Sequence, residues 1–275
     1  MSHTGIGFGS TILLASALML AATGSAHGQN TPDTPTLILA TTEGAGTRSR
    51  SKDGELIEPD PGHYVELARK AADLCGTSVE FRFMPWARVL KAVRAGTVSA
   101  GYASSYKAER AEYGAYPMLD GKPNEALAQR AYAYHLFARA DDSAAIADWQ
   151  SLIAGAVVSV ERSSSIIPVL EDLGAEPYER TDYENQLELL LSKRSRFAVG
   201  IADNFEQEIE ANPRFRDQVV RVEPPVQKRV GYVMFGKAFY EQHTELVDCY
   251  WQQAAEIAKT DWYQARKDYY AAKYE

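Results

Sequence analysis

The amino-acid sequence predicts an α/β protein with a largely parallel sheet. Three observations carry that expectation. Short apolar runs of strand length alternate with helical segments over residues 36–105, and the same rhythm returns over 130–202. One of the helical segments opens on Pro and closes on Gly, the usual asymmetry of helix ends. The composition is that of a folded chain: 275 residues, 45% hydrophobic and 11% aromatic, with an ordinary Gly and Pro load. That length is enough for a sizeable core and fits one large domain or two modest ones.

The elements follow in order. TLILAT (36–41) is a strand-length apolar run, and a polar stretch rich in Gly, Arg and Ser extends from Thr42 to Gly54. A helix is expected after Pro61, with Leu67, Ala71 and Leu74 on related faces and Gly76 as its stop. VEFRFM (79–84) alternates as a strand, PWARVLKAVRAG (85–96) reads as a helix, and AGYASS (100–105) as a short strand. RAYAYHLFAR (130–139) alternates again, AVVSV (156–160) is apolar, and SSSIIPVLEDLG reads as a helix opened by serines. NQLELLLSKR (185–194) is helical and RFAVGIA (196–202) a buried strand; VVRVEP (219–224) and RVGYVMFG (229–236) alternate as two strands. From Phe239 the chain reads as helices, with Trp251, Ala254, Ile257 and Ala258 on one stripe.

Charge excludes some functions. With 29 basic and 37 acidic side chains the formal net charge is −8, which argues against a general nucleic-acid binder and against adsorption to anionic membranes. The apolar run TILLASALMLAA (11–22) is shorter than the roughly 20 residues a membrane span needs. Small residues follow it, with Ala26 and Gly28 in the −3 and −1 arrangement of a secretory cleavage site, so residues 1–28 are expected to be a signal peptide and the mature chain an exported, soluble protein. GIGFGS (5–10) looks like a phosphate loop but precedes no strand–helix unit and would leave with the signal peptide. Cys75 and Cys249 are either a disulfide, which an oxidising compartment permits, or two buried thiols.

Catalytic templates are absent. His63, His135 and His243 have no metal-ligand spacing, there is no GxSxG or HExxH, and no carboxylate pair in one segment suggests acid–base work. No metal or cofactor is expected.

The stretch FRFMPWARVLKAVRAGTVSAGYASSYKAERAEYGAYPM (81–118) resembles the bacterial solute-binding protein family 3, the periplasmic receptors of polar amino-acid ABC importers. The likeness rests on Phe81–Phe83, Pro85–Trp86, Gly96, Ser104–Ser105, Arg110 and Tyr116–Pro117. It continues in DWQSLIAGAVVSVERSSS, KRSRFAVGIADN and DWYQARKDYYAAKY, in the family's order. The resemblance implies a type II periplasmic-binding-protein fold: two α/β lobes joined by two crossover strands, with the ligand in the cleft between them. Carried over, lobe I is 34–121 plus 229–275 and lobe II is 122–228. Both cysteines then fall in lobe I.

The resemblance also implies a site. Arg110 matches the arginine that grips the ligand carboxylate, for which a guanidinium fork suits better than an ammonium. Ser104 and Ser105 match the hydroxyl-bearing strand end, Ala103 the residue whose carbonyl faces the ligand amine, and Trp86 an aromatic wall. Asp203 matches the acid that pairs with the ligand ammonium. Ser164 and Ser165, with Ser163, open a helix whose free N–H groups favour a carboxylate. Thr42 follows the first strand where the family usually has an aromatic, and Arg162 occupies a variable cleft position. Lys107 stands in place of the usual Thr, and Ser99 and Ala198 replace common acids, so Arg48, Arg50, Lys107 and Arg162 offer extra positive charge for an anionic solute. The expected role is capture of a small polar solute, an amino acid or related carboxylate, for an ABC transporter permease, by a monomeric periplasmic protein. The alternatives are a dehydratase of prephenate-like substrates on the same scaffold, with Glu161 or Glu43 as general acid, and a sensor reporting ligand to a membrane receptor.

Overall fold

The computed structural model describes residues 1, 34–42, 56 and 58–274. The expected signal peptide, GIGFGS, Glu43, Arg48 and Arg50 lie outside these residues. The first part of the chain alternates as expected: β1 (Leu37–Thr41), α1 (His63–Leu74), β2 (Val79–Phe83), α2 (Trp86–Arg94) and β3 (Ala100–Ser104). Gly76 and Gly96, just past the ends of α1 and α2, have φ of 69° and 68°, the left-handed backbone that stops a helix at low cost when the residue is glycine. A short helix α3 (Ala108–Ala111), a two-residue strand β4 (Gly114–Ala115), a small hairpin of β5 (Met118–Leu119) and β6 (Lys122–Pro123), and a 3₁₀ turn at Glu125–Leu127 lead to β7 (Arg130–Arg139).

The middle of the chain runs through α4 (Ser143–Ala147), β8 (Val157–Glu161), α5 (Ile167–Asp172), β9 (Glu176–Arg180), α6 (Tyr183–Leu191), β10 (Phe197–Ile201), α7 (Ala202–Ala211) and α8 (Pro213–Arg216). Asp182 caps α6, its carboxylate accepting from the Asn185 N–H at 2.8 Å. The chain closes with β11 (Val219–Gly236), α9 (Lys237–Gln242), α10 (Thr244–Ala258) and α11 (Asp261–Tyr274). Among the described residues no helix is long and apolar enough to cross a membrane.

Nine strands form one curled sheet, ordered β2-β1-β3-β11-β7-β10-β8-β9, with β4 paired to β11. The expected parallel character holds only in its two wings, where β1 pairs with β2 and β3, and β8 with β9 and β10. The centre is antiparallel, because β7 and β11 run in opposite directions between the two halves. The segments read as two strands at 219–224 and 229–236 are one strand. β11 pairs with β7 on both sides of a pause between Val222 and Gln227, and Pro224 and Pro225, which have no N–H to give the ladder, sit in that pause. β11 then continues onto β3 through Tyr232, Met234 and Phe235.

Each half buries its own core. On one side Leu37 and Leu39 of β1, Leu67 of α1, Phe235 of β11, and Tyr250 and Trp251 of α10 pack together. Trp251, Ala254 and Ile257 are buried, as the stripe predicted, while Ala258 is only partly covered. On the other side Leu136, Val158, Val160, Leu170 and Phe197 cover one face of the sheet, and Phe137, Leu187, Phe205 and Phe215 the opposite face. Gly200 has a packing reason: a Cβ there would come within 2.1 Å of the Phe205 ring, which lies stacked on Phe137. Of the two states left open for the cysteines, the structure holds the disulfide. Cys75 after α1 is joined to Cys249 in α10, with their Cα atoms 5.9 Å apart.

Candidate functional site

The strand ends of both halves meet over a narrow cavity of about 40 Å³. From the first half it is lined by Thr41 and Thr42 at the end of β1, Trp86 at the start of α2, Ala103 and Ser105 at the end of β3, and Arg110 of α3. From the other half come Glu161, Ser164 and Ser165 after β8, Tyr183 of α6, and Ile201 and Asn204 at the start of α7. The crossover strand β7 supplies Arg130, Tyr132 and Tyr134, alternate residues that share one face of the strand. Thr42, Trp86, Ala103, Ser105, Arg110, Ser164 and Ser165, named from the sequence, therefore converge on one cleft.

Arg110 is 1% exposed and spans it. Its Nη1 donates to the Ser105 carbonyl oxygen at 3.0 Å and to Ser105 Oγ at 3.1 Å. Its Nη2 donates across the cleft to the Ser163 carbonyl oxygen at 2.9 Å. Nε is buried without a partner, and the guanidinium carbon lies 5.3 Å from the centre of the Trp86 ring. Among the described residues no carboxylate comes within ion-pair distance of this guanidinium. Ser104 lies beneath the site: it is fully buried, its Oγ 3.0 Å from the Tyr116 hydroxyl and donating to the Ser105 carbonyl at 3.3 Å. It thus helps hold the Ser105 carbonyl that Arg110 uses. Ala103 has φ 61°, a backbone conformation uncommon for a residue with a Cβ. Its carbonyl packs against the α-carbon of Gly231, where an added Cβ would sit 3.1 Å from the oxygen.

The serines do not open a helix as expected. The backbone turns at Ser163, φ 63°, and α5 starts four residues past it at Ile167, with no side-chain cap. Ser164 and Ser165 instead place their Oγ atoms 3.2 Å from the Tyr134 hydroxyl. Asp203 and Arg162 are not among the cavity's walls. Asp203 is exposed in the first turn of α7, and the next residue, Asn204, faces the cleft in its place, its amide donating to the Tyr183 hydroxyl at 3.0 Å. Arg162 is exposed and lines a second, outer depression of about 450 Å³ with Arg88, Lys91 and Arg94 of α2. Lys107, offered from the sequence as a cleft cation, pairs with Glu109 at 3.0 Å and lines neither depression.

One cleft residue, Arg130, has a place the sequence did not give it, and Glu161, named from the sequence only as a general acid for the dehydratase alternative, is there as well. Arg130 is 9% exposed, with its guanidinium carbon 5.2 Å from the Tyr64 ring centre and 5.0 Å from that of Tyr132. The signal was present in R-x-Y-x-Y, which puts three polar-tipped side chains on one strand face, but an Arg at a strand end reads as solvated. Glu161 lines both depressions. Burial pushes its carboxyl up to about 8 from an ordinary 4.5, against the opposing pull of the Arg110 charge, so it is mostly protonated at neutral pH. His63 moves the other way, down to about 4, because burial and the charges of Lys267 and Arg130 disfavour the imidazolium. Its Nδ1 lies 2.9 Å from the Tyr263 hydroxyl, a structural contact. Among the described residues no cluster of His, Cys, Asp and Glu could hold a metal ion.

No family model matches the chain, and no curated protein sequence matches it. Solved structures do. A histidine kinase sensor domain with similarity to periplasmic binding proteins superposes with a TM-score of 0.68 at 19% identity, over 85% of this chain and 94% of that one. An ancestral arginine-binding protein bound to glutamine gives 0.66 at 17% identity, covering 85% and 96%. An ancestral amino-acid-binding protein, a precursor of cyclohexadienyl dehydratase, gives 0.63 at 16% identity, covering 85% and 93%. At these identities the likeness establishes the fold, the two-lobed type II periplasmic-binding-protein architecture.

Proposed function

We propose that this protein captures a small carboxylate-bearing solute, an amino acid or a related acid, by closing lobe I (34–121 plus 229–275) onto lobe II (122–228). One observation carries the reading: Arg110, buried in the cleft, has no carboxylate partner among the described residues, yet it reaches Ser105 in one lobe and Ser163 in the other. A buried guanidinium without an acid is costly unless an anion completes it. Because its hydrogen bond to Ser163 crosses the cleft, holding a ligand and holding the lobes together share one side chain. The fold neighbours, binding proteins for amino acids among them, support this reading. As a periplasmic solute receptor the protein would hand its ligand to an ABC transporter permease; the sensor domain among the neighbours is the reason to keep a receptor-signalling role beside transport.

The test is a thermal-shift screen of the purified protein against amino acids and organic acids. A carboxylate-bearing ligand should raise the melting temperature, and Arg110→Ala should abolish the shift, with Arg110→Lys recovering little of it because an ammonium lacks the two-pronged geometry. Binding by Arg110→Ala as tight as wild type overturns the carboxylate clamp. Glu161 favours a second reading: a protonated carboxyl in the cleft is placed to act as a general acid, as a dehydratase on this scaffold would need. Turnover of a prephenate-like substrate, lost in Glu161→Gln, would establish that activity.

A further inference from the structure

The cleft holds a second guanidinium that the carboxylate clamp does not use. Arg130 sits at the first position of crossover strand β7, where β7 and β11 pass between the lobes through the pairs Arg130–Gly231 and Tyr134–Gln227. It lines the same cavity as Arg110. Its Nε and Nη2 are buried without a hydrogen-bond partner, and among the described residues it makes no ion pair within 4 Å. Tyr64 and Tyr132 flank the guanidinium, so its orientation is held by ring faces, which take none of its N–H donors. Asp203 acts on it only through space, from an exposed position outside the cavity walls.

The arginines in the cavity wall are both positive, and Asp203 acts on Arg130 from outside it. Arg110 of α3 and Arg130 of β7 both line the cavity, and the acid in its wall, Glu161, is kept mostly neutral by burial. The outer depression, which shares Trp86 and Glu161 as walls with the cavity, adds Arg88, Lys91, Arg94 and Arg162, none of them in an ion pair among the described residues. A ligand with a single carboxylate would satisfy Arg110 and leave Arg130's donors buried and unmatched.

We propose that the ligand carries two anionic groups, a small dicarboxylate, with one carboxylate on Arg110 and the other on the unpartnered donors of Arg130. This rests on the carboxylate-binding reading above and adds the second anchor to it. Asn204 Oδ1, a buried acceptor without a partner, leaves room for an amine on the same skeleton but is neutral and does not require one.

Calorimetric titration of the full mature chain with isosteric pairs tests the second anchor. L-glutamate is compared with L-glutamine, and succinate with succinamate, so that each pair differs by one charge and not by size. For at least one pair the member with two carboxylates should bind about tenfold tighter or more, the scale of one charge-assisted hydrogen-bonded contact. That preference should shrink to within about threefold in Arg130→Gln, whose circular dichroism and melting must first match a folded protein. Arg130→Lys keeps the charge and should keep part of the preference, which separates recognition from a packing defect. If glutamine or succinamate binds as well as its acid and depends on Arg110 but not on Arg130, the dicarboxylate inference is overturned while the carboxylate-binding function stands. If neither member of either pair binds the wild type, the dicarboxylate inference falls, and the carboxylate-binding function falls with it when the broader thermal-shift screen also finds no carboxylate ligand.

Discussion

The lobe cores and the cleft between them are built on opposite terms. In the cores, Leu37, Phe197 and Phe235 are fully buried, and Trp251, for example, satisfies its indole N–H on the Val233 carbonyl at 2.8 Å. The cleft gathers polar atoms that burial has stripped of water and that have no partner: Arg110 Nε, Arg130 Nε and Nη2, and Asn204 Oδ1. Buried polar atoms without a partner also occur outside it, Tyr250 Oη in a lobe core among them, but in the cleft those of three residues line one cavity, a division between packed lobes and a space with hydrogen-bonding capacity to spare. A binding cleft needs that division, since a group already satisfied within the chain has nothing left for a ligand.

The contrast can be broken from the core side first. Phe235→Ala removes a fully buried ring packed against Tyr250 and Trp251, with centroids 5.7 Å from each, and should lower stability by about 3–5 kcal/mol in urea unfolding. Removing the disulfide by Cys75→Ala with Cys249→Ala opens a loop of 174 residues and should cost about 2–5 kcal/mol, read as a lower denaturation midpoint that reducing agent reproduces in the wild type.

On the cleft side the effects are smaller and differ in kind. The folded protein holds Glu161's proton up to about pH 8, whereas the unfolded chain releases it near 4.5. Between those values the folded state binds the extra proton, so this contribution to stability is complete below about 4.5 and declines as pH rises toward 8. Glu161→Gln should flatten that part of the melting-temperature profile; an unchanged slope from pH 5 to 8 would show that Glu161 titrates normally. The smallest effect expected is on association. Arg88, Lys91, Arg94 and Arg162 at the outer depression oppose a net charge of −8, so the on-rate for an anionic ligand should fall with added salt. Reversing Lys91 to Glu should weaken that salt dependence and leave the dissociation rate nearly unchanged.

Much of the cleft was readable before any coordinates. Trp86, Ala103, Ser105 and Arg110 were assigned through the family resemblance, and the structure brings all four to the cleft, at the start of α2, the end of β3 and in α3. The misplacements all involve residues whose facing depends on where an element begins. α5 starts after Ile166, not at the serines, and this releases Ser164 and Ser165 to meet Tyr134. Arg162 stands at the outer edge because the chain turns directly after β8.

What the sequence determined by itself is the alternation of strands and helices, because apolar periodicity is a local property and each element shows it within its own length. It also determined that no metal-ligand spacing exists and that the bulk charge is acidic. Only the tertiary structure decided which polar side chains face the cleft. α7 begins at Ala202, and each step along a helix turns the side chain by about 100°, so Asp203 points to solvent and Asn204 inward. Only the tertiary structure, likewise, made one strand of two segments, bringing β7 and β11 together at the crossover and burying Arg130, to which the sequence assigned no role. A side chain's chemistry is written in the chain, but its exposure is set by what packs against it.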